Sequence, residues 1–175
     1  RIDRIFIMYI DTDKIVTMTA ANQNFSAVAR QTDRDGKSVL FKNNRPKYIL
    51  IDLDDFKAIN DNHGHHVGDR MLKKISNILT KYFPNDFVCR IGGDEFAILV
   101  FDYKEGFKEE LIKRFDDMQK ESLETKDKLP AESLSIGIAF GTKDDDTDSL
   151  YRKADRAMYH VKTHAKSGYC FYDEI

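Results

Sequence analysis

The chain has little of what secreted, membrane-spanning and nucleic-acid-wrapping proteins require. Only two cysteines, Cys89 and Cys170, occur in 175 residues. Neither has metal-ligand spacing, and Cys89 falls in a β-prone run, so both read as reduced thiols of a cytosolic domain. No apolar run approaches the length of a membrane span, and the N-terminus lacks the layout of a signal peptide. Charge of one sign is not in excess: 28 basic residues against 30 acidic ones leave a net charge of −2. That balance gives no electrostatic case for nucleic-acid wrapping or membrane adsorption, while leaving open the specific binding of a nucleotide by a few local charges. No internal repeat is evident. The expectation is a cytoplasmic domain with no nucleic-acid partner and no membrane contact from this segment. With 41% hydrophobic and 33% charged residues, it is long enough to bury one core without staples.

The most informative string is Arg90-Ile91-Gly92-Gly93-Asp94-Glu95-Phe96, between the apolar runs Phe87 to Cys89 and Ala97 to Phe101. Two β-prone segments around a glycine-rich tip read as a β-hairpin that presents acids at its turn. Glycine lets a ligand approach the backbone, and paired carboxylates hold divalent metals. A Gly-Gly tip is also an ordinary way to turn a hairpin, and an exposed Asp-Glu pair is ordinarily just solvated. The second informative segment, Tyr48 to Asp61, is a nearly continuous apolar run ending in Asp52, Asp54 and Asp55. It reads as a buried central strand with acids emerging at its C-terminal end, where ligands gather in sheets of this type. Asp52 sits closest to the strand and is the best placed to reach a metal; Asp54 and Asp55 read as caps of the following helix. If the strand lies beside the hairpin, Asp52 and Asp94 can share Mg²⁺, with substrate phosphates completing its shell.

Helical spacing follows at Met71, Leu72, Ile75, Ile78 and Leu79, again at Leu111, Ile112, Phe115 and Met118, and last at Leu150 to Val161, started by Asp148. Strands are expected at Lys47 to Leu53, Val88 to Ile91, Ala97 to Phe101, Leu134 to Phe140 and Tyr169 to Tyr172. Ile5 to Ile10 and Ile15 to Met18 look like two further strands, either a local hairpin or the tail of an upstream module. The run Asp144-Asp145-Asp146 reads as a solvated loop.

These residues resemble the GGDEF domains of diguanylate cyclases. The resemblance rests on Asp52-Leu53-Asp54-Asp55-Phe56-Lys57-Ala58-Ile59-Asn60-Asp61, Gly64-His65-His66-Val67-Gly68-Asp69 and Arg90 to Phe96, continuing through Ser135-Ile136-Gly137-Ile138-Ala139 and Ala154 to Lys162. All occur in the family's order, over roughly Lys47 to the C-terminus. The resemblance implies an α/β (α+β) nucleotidyl-cyclase fold related to polymerase palm domains, a central mostly antiparallel sheet flanked by helices. Residues 47–175 would be the catalytic core, and 1–46 an N-terminal segment of the domain or the end of an upstream module. It also implies a nucleotidyltransferase of bacterial signalling that joins two GTP into cyclic di-GMP with release of two pyrophosphates. The domain would work as a homodimer, commonly under an upstream sensory domain that can attach the full-length protein to a membrane. The alternative function is a catalytically silent GTP-binding regulatory domain.

By the same resemblance, Asp52, the Leu53 carbonyl, Asp94 and Glu95 would hold Mg²⁺ (or Mn²⁺), and Asp94, with Glu95 beside it, would be catalytic. Asn60 and Asp69 would read guanine, since a carboxylate accepts from guanine's N1 and N2 donors, which adenine does not offer in that arrangement. Taken alone, Asn60 reads as a helix-end polar residue and Asp69 as an N-cap. Phe56, Lys57, His65, Gly92, Gly93, Lys162 and Lys166 would complete the nucleotide site. His63, His65 and His66 could suggest a metal cluster, but no further His or Cys accompanies them at ligand spacing, and the glycines at 64 and 68 fit a nucleotide loop.

Three departures stand out. The family's Asp-x-Leu-Thr-Gly-Leu-x-Asn-Arg motif has its nearest match at Asp13 to Ala21, which keeps little but the Asp. Lys166 stands where the family has Arg, keeping charge and losing the forked geometry. The inhibitory Arg-x-x-Asp is replaced by Phe83-Pro84-Asn85-Asp86. Phe83 cannot grip a phosphate or a guanine edge, so product inhibition through that site should be weak or absent.

Overall fold

In a computed structural model, residues 15–17, 39–41, 47–100, 106–125, 129–142, 145 and 147–175 are described. In chain order the elements are strands β1 (Ile15–Thr17), β2 (Val39–Phe41) and β3 (Lys47–Leu53), helices α1 (Phe56–His63) and α2 (His65–Tyr82), strands β4 (Phe87–Gly92) and β5 (Glu95–Val100), helix α3 (Phe107–Leu123), strand β6 (Leu134–Phe140), helix α4 (Thr147–His164), strand β7 (Gly168–Phe171) and a closing 3₁₀ turn, Tyr172–Glu174. A five-stranded sheet runs in the order β4-β5-β3-β6-β7, and β1 and β2 form a separate two-stranded sheet. Every neighbour in the larger sheet is antiparallel except the parallel pair β6–β7, which gives the mostly antiparallel α/β architecture expected.

The central strand β3 is buried at all seven positions because helices cover both faces of the sheet. Side chains alternate between the faces. Ile49, Ile51 and Leu53 join Met71, Ile75 and Leu79 of α2 and Leu111, Phe115 and Met118 of α3 in one cluster. Tyr48 and Leu50 join Leu150, Ala154 and Met158 of α4 in another. The sequence of β3 therefore shows no polar alternation, and Asp52 continues the face turned to α4.

Helix α4 sits unusually close to the sheet at Gly137. A Cβ there would lie 2.1 Å from the carbonyl oxygen of Ala154 and 2.3 Å from the amide nitrogen of Met158, so glycine is required for the helix to seat. Several expectations shift in detail. The Ile15 strand pairs in parallel with Val39–Phe41, which no sequence signal suggested, and Ile5 to Ile10 lies outside the described residues. Helix α4 begins at Thr147, one residue before Asp148. Asp145 is no solvated loop acid: it accepts from Thr142, Ser149 and Lys153, the last at 2.5 Å. Although burial works against its charge, those donors hold its carboxyl well below the usual carboxylate range. Asp144 and Asp146 lie outside the described residues.

Phe83 is 1% exposed, with its ring 6.3 Å from that of Phe115 and the Arg114 guanidinium 5.2 Å above it. The residue that replaces the family's inhibitory arginine is thus a core residue, and only Asp86 of that pair is partly exposed. A charged side chain at 83 would need the end of α2 to open.

Gly137→Ala should destabilise the domain by about 2 kcal/mol or more, since backbone atoms of α4 rather than a flexible side chain meet the new methyl. Chemical denaturation checks this; a loss below roughly 0.5 kcal/mol would show that α4 seats without the close approach.

Candidate active site

The site forms where the C-terminal end of β3 meets the β4–β5 hairpin. β5 returns after a two-residue turn at Gly93 and Asp94, with a register shift between Arg90 and Gly92. Gly93 takes a φ of +47° with nothing near its missing side chain, a conformation that glycine adopts without penalty. Arg90 holds the tip, donating from Nε and Nη2 to the Gly93 carbonyl at 2.8 and 2.5 Å. The tip is also tied to the central strand, since the Leu53 N–H donates to the Asp94 carbonyl at 3.3 Å. Cross-strand pairing sets Asp52 directly opposite Glu95. Asp52, Leu53, Asp94 and Glu95 are therefore neighbours, as the sequence reading required.

Asp52 is 6% exposed, and the Nζ of Lys162 lies 2.7 Å from its Oδ2. Burial pushes the Asp52 carboxyl up to about 6, against the pull of Lys162, and the charges of Asp94 and Glu95 push in the same direction as burial. An acid held this far up by lost hydration and like charges gains from any cation placed beside it. The donors are hard carboxylate and carbonyl oxygens, the set Mg²⁺ takes, and one or two carboxylates with water and phosphate suffice for it. Among the described residues no three His, Cys, Asp or Glu side chains form a ready-made cage. The fit is to an open site that substrate completes.

The two following acids do not cap α1 as expected. Asp54 accepts from Ser135 Oγ at Oδ1 and Ser133 Oγ at Oδ2, both at 2.7 Å, while its N–H donates to the Ser133 carbonyl. It clasps the end of β3 to β6. Asp55 stands at the N-cap position of α1 with φ +58° and makes no side-chain cap bond; it pairs instead with Lys166 at 2.9 Å. The first-turn N–H groups of α1 thus lack a capping side chain beside the acids, with Phe56 and Lys57 on that turn. Lys166 and Ser167 both take left-handed backbone, at φ +37° and +70°.

The base-reading candidates come together through a second close approach. A Cβ on Gly68 would lie 2.1 Å from Asn60 Oδ1 and 3.2 Å from the Phe56 ring, so the Asn60 amide rests against the backbone next to Asp69. α2 begins at His65, and Asp69 lies in its second turn, exposed, rather than at its N-cap. His65 opens the helix and is exposed.

The sequence reading missed Glu132. It is 2% exposed, and its Oε2 is buried without a hydrogen-bond partner. Burial first, then the charges of Asp54, Asp55, Asp52 and Asp94, push its carboxyl up to about 8. A lone acid just before a strand gives no sequence signal of this; only the fold places it beside the other acids.

A mostly antiparallel palm-like sheet with acids at a hairpin tip and at the end of the central strand defines a nucleotidyl-cyclase type of domain. The family profile described as "Diguanylate cyclase, GGDEF domain" matches residues 20–167, and the chain belongs to the GGDEF domain family. It is 40% identical over 128 residues to the signaling protein YkoW of Bacillus subtilis, covering 71% of this chain and 16% of that protein. It is 37% identical over 131 residues to MucR of Pseudomonas aeruginosa, a bifunctional diguanylate cyclase and cyclic di-GMP phosphodiesterase, covering 71% of this chain and 18% of that protein. The chain thus spans less than a fifth of either relative. The GGDEF domain of DgcB from Caulobacter crescentus, solved with c-di-GMP, superposes with a TM-score of 0.67 over 99% of both chains at 18% identity, a likeness of fold.

Glu132 yields a prediction about stability and pH. Its folded pKa near 8 exceeds the usual value near 4.3 for a free Glu. The folded state therefore holds the proton more tightly, and stability falls as pH rises from about 4.5 through about 8. Glu132→Gln should flatten that fall. At pH 9 the variant should gain roughly 1 kcal/mol or more relative to wild type, about 2–4 °C in Tm at this chain length, when each is referenced to its own stability at pH 6. Parallel melting curves for the two proteins would contradict the assignment.

Proposed function

We propose that this domain is a diguanylate cyclase, requiring Mg²⁺ or Mn²⁺, that condenses two GTP into cyclic di-GMP and two pyrophosphates as a homodimer. The observation that supports it most is the buried Asp52, opposite Glu95 and beside the tied-down Asp94, with Lys162 paired to it. Residues 47–175 act as the catalytic core, and 1–46 are an N-terminal segment of the domain or the end of an upstream module. The domain works in the cytoplasm on this reading, as its GTP substrate requires. Among the described residues no helix is long and apolar enough to cross a membrane.

In each half-reaction a 3′-oxygen forms a bond to the α-phosphorus of the other GTP, the bond to the β-phosphate oxygen breaks, and the hydroxyl proton leaves. Asp52, the Leu53 carbonyl, Asp94 and Glu95 would hold the metal, which when bound supplies charge neutralisation at the phosphate and acidifies the hydroxyl. Asp94, at the tip, accepts the proton. Lys162 neutralises Asp52 until nucleotide arrives, and its ammonium then serves a phosphate oxygen as a point charge. Lys57, Lys166 and the uncapped N–H groups of α1 favour the remaining phosphate charge, while Gly92 and Gly93 let it approach the backbone. Asn60 and Asp69, with His65 and Phe56 beside them, hold the base. Each protomer presents one GTP, so two must face each other.

A silent GTP-binding domain is the competing reading, favoured by Lys166, which stands beside Asp55 where the family has a forked arginine. Incubation with GTP and Mg²⁺ followed by chromatography of the products separates the two. Cyclic di-GMP supports the cyclase, and bound but unconverted GTP supports the sensor.

Asp94→Asn should reduce turnover roughly a hundredfold or more, with stability within about 0.5 kcal/mol of wild type, since the backbone bond to Leu53 survives and only charge is removed. Activity within a few-fold of wild type would remove Asp94 from the mechanism.

Asp69→Ser should narrow the preference for GTP over ATP by about tenfold, because guanine's donors lose a charged acceptor and adenine loses a penalty. Competition binding with both nucleotides measures it, and an unchanged ratio would assign Asp69 to helix α2 alone.

A further inference from the structure

The end of helix α4 and the turn after it carry two lysines, and each meets one of the acids at the end of β3. Lys162 Nζ lies 2.7 Å from Asp52 Oδ2, and Lys166 Nζ lies 2.9 Å from Asp55 Oδ1. The two pairs differ in their exposure to water. The Asp52 side chain is only 8% exposed, with Lys162 covering it, whereas both members of the outer pair are more than half exposed. Solvent and salt screen the outer pair, and the inner one is largely withdrawn from that screening. Asp52 is also the acid on which the candidate metal ligands centre, standing opposite Glu95 on the neighbouring strand. One of its two oxygens is therefore already in contact with a cation of the protein's own.

We propose that Lys162 is a resident cation that keeps a divalent ion off Asp52 until a nucleoside triphosphate draws the ammonium onto its phosphates. This role rests on the reading of Asp52 as a metal ligand and adds an order of entry to it. Metal and triphosphate enter together, and the site without nucleotide holds metal poorly. An ammonium this close alters a carboxylate's hold on a proton by roughly ten- to a thousandfold, and a divalent ion, with twice the charge to repel, feels the same competitor. A phosphate chain relieves the competition, because it carries more negative charge than one carboxylate and accepts a Lys ammonium as a point charge. Lys166 has no such effect, since its partner Asp55 is not among the candidate ligands and their pair is screened.

The test is calorimetric titration of the nucleotide-free protein with MnCl₂ at pH 8, where protons compete little for a carboxylate. Lys162→Met should bind Mn²⁺ at least about tenfold more tightly than wild type. Lys162→Arg, which keeps the charge, should bind as weakly as wild type, and Lys166→Met should stay within about twofold of it. The gain should vanish when Asp52→Asn is added to Lys162→Met. Circular dichroism verifies the fold, and Lys162→Gln, which keeps a donor for Oδ2, carries the same expectation if Lys162→Met does not fold. Equal Mn²⁺ affinity in wild type and the neutral variants at 162, a gain that survives Asp52→Asn, or the same gain from Lys166→Met overturns the proposal. A GTP analogue with a methylene between its α- and β-phosphates, which cannot condense, separates that failure from failure of the metal reading. Mn²⁺ should tighten binding of the analogue to wild type and not to Asp52→Asn. If the two proteins respond alike, the metal reading and the role of Lys162 fall together; if only wild type responds while Lys162→Met gains nothing, the role of Lys162 falls alone.

Discussion

Asp52 is a carboxylate withdrawn from water at the end of the most buried strand, and the arrangement around it follows from how that charge is tolerated. An unpaired buried carboxylate costs several kcal/mol and ordinarily takes up a proton. Here Lys162 lies at 2.7 Å from one oxygen, which keeps the acid from rising beyond about 6. The pair only partly offsets the lost hydration, since Asp94 and Glu95 stand nearby. The strand end is thus stable enough to fold and still short of positive charge. A divalent metal would supply that charge, which is how a preformed site retains a drive to bind.

That balance depends on distances set elsewhere. Lys162 reaches Asp52 because α4 lies almost on the sheet, and α4 lies there because Gly137 has no side chain. Asp94 stays near Asp52 because its carbonyl is bonded to the Leu53 N–H and Arg90 holds the turn. Asn60 and Asp69 are neighbours because Gly68 lets the amide rest on α2. Two glycines thus govern the two halves of the site by close approach, a different use from that of Gly93, which serves for its positive φ.

The elements were legible where one physical signal dominated. β3 and β6 read correctly because strands covered on both faces become continuous apolar runs, and α2, α3 and α4 because their buried stripes repeat at helical spacing. The misreadings share a cause, which is that a polar side chain's partner is chosen by tertiary structure. Asp69 carried a cap's identity but lies inside α2, whose start is set at Gly64, with φ +82°. Asp54 found two serines, Ser133 just before β6 and Ser135 on it, in place of helix N–H groups. Asp145 looked like one of three solvated acids until Lys153, eight residues on, closed over it. The family motif located Asp52, Asp94 and Lys162 without showing that Lys162 would be paired with Asp52. Glu132 had no pattern to betray it, because the acids that raise its pKa come from β3, the turn after it and the hairpin tip.

The substitution of lysine for arginine at 166 can be weighed on the same grounds. Arginine presents a rigid fork able to bind two oxygens, while lysine offers one compact charge on a flexible stem. In this chain the ammonium is paired with Asp55, both groups being largely exposed, where solvent screening leaves such a pair weak. A bond that weak does not keep Lys166 from a phosphate, which carries more charge than one carboxylate. The constraint lies instead in the backbone, where Lys166 and Ser167 sit at successive positive φ values that residues with a Cβ adopt at a cost. The position keeps its charge and loses the fork, and the silent reading therefore needs more than this one substitution to support it.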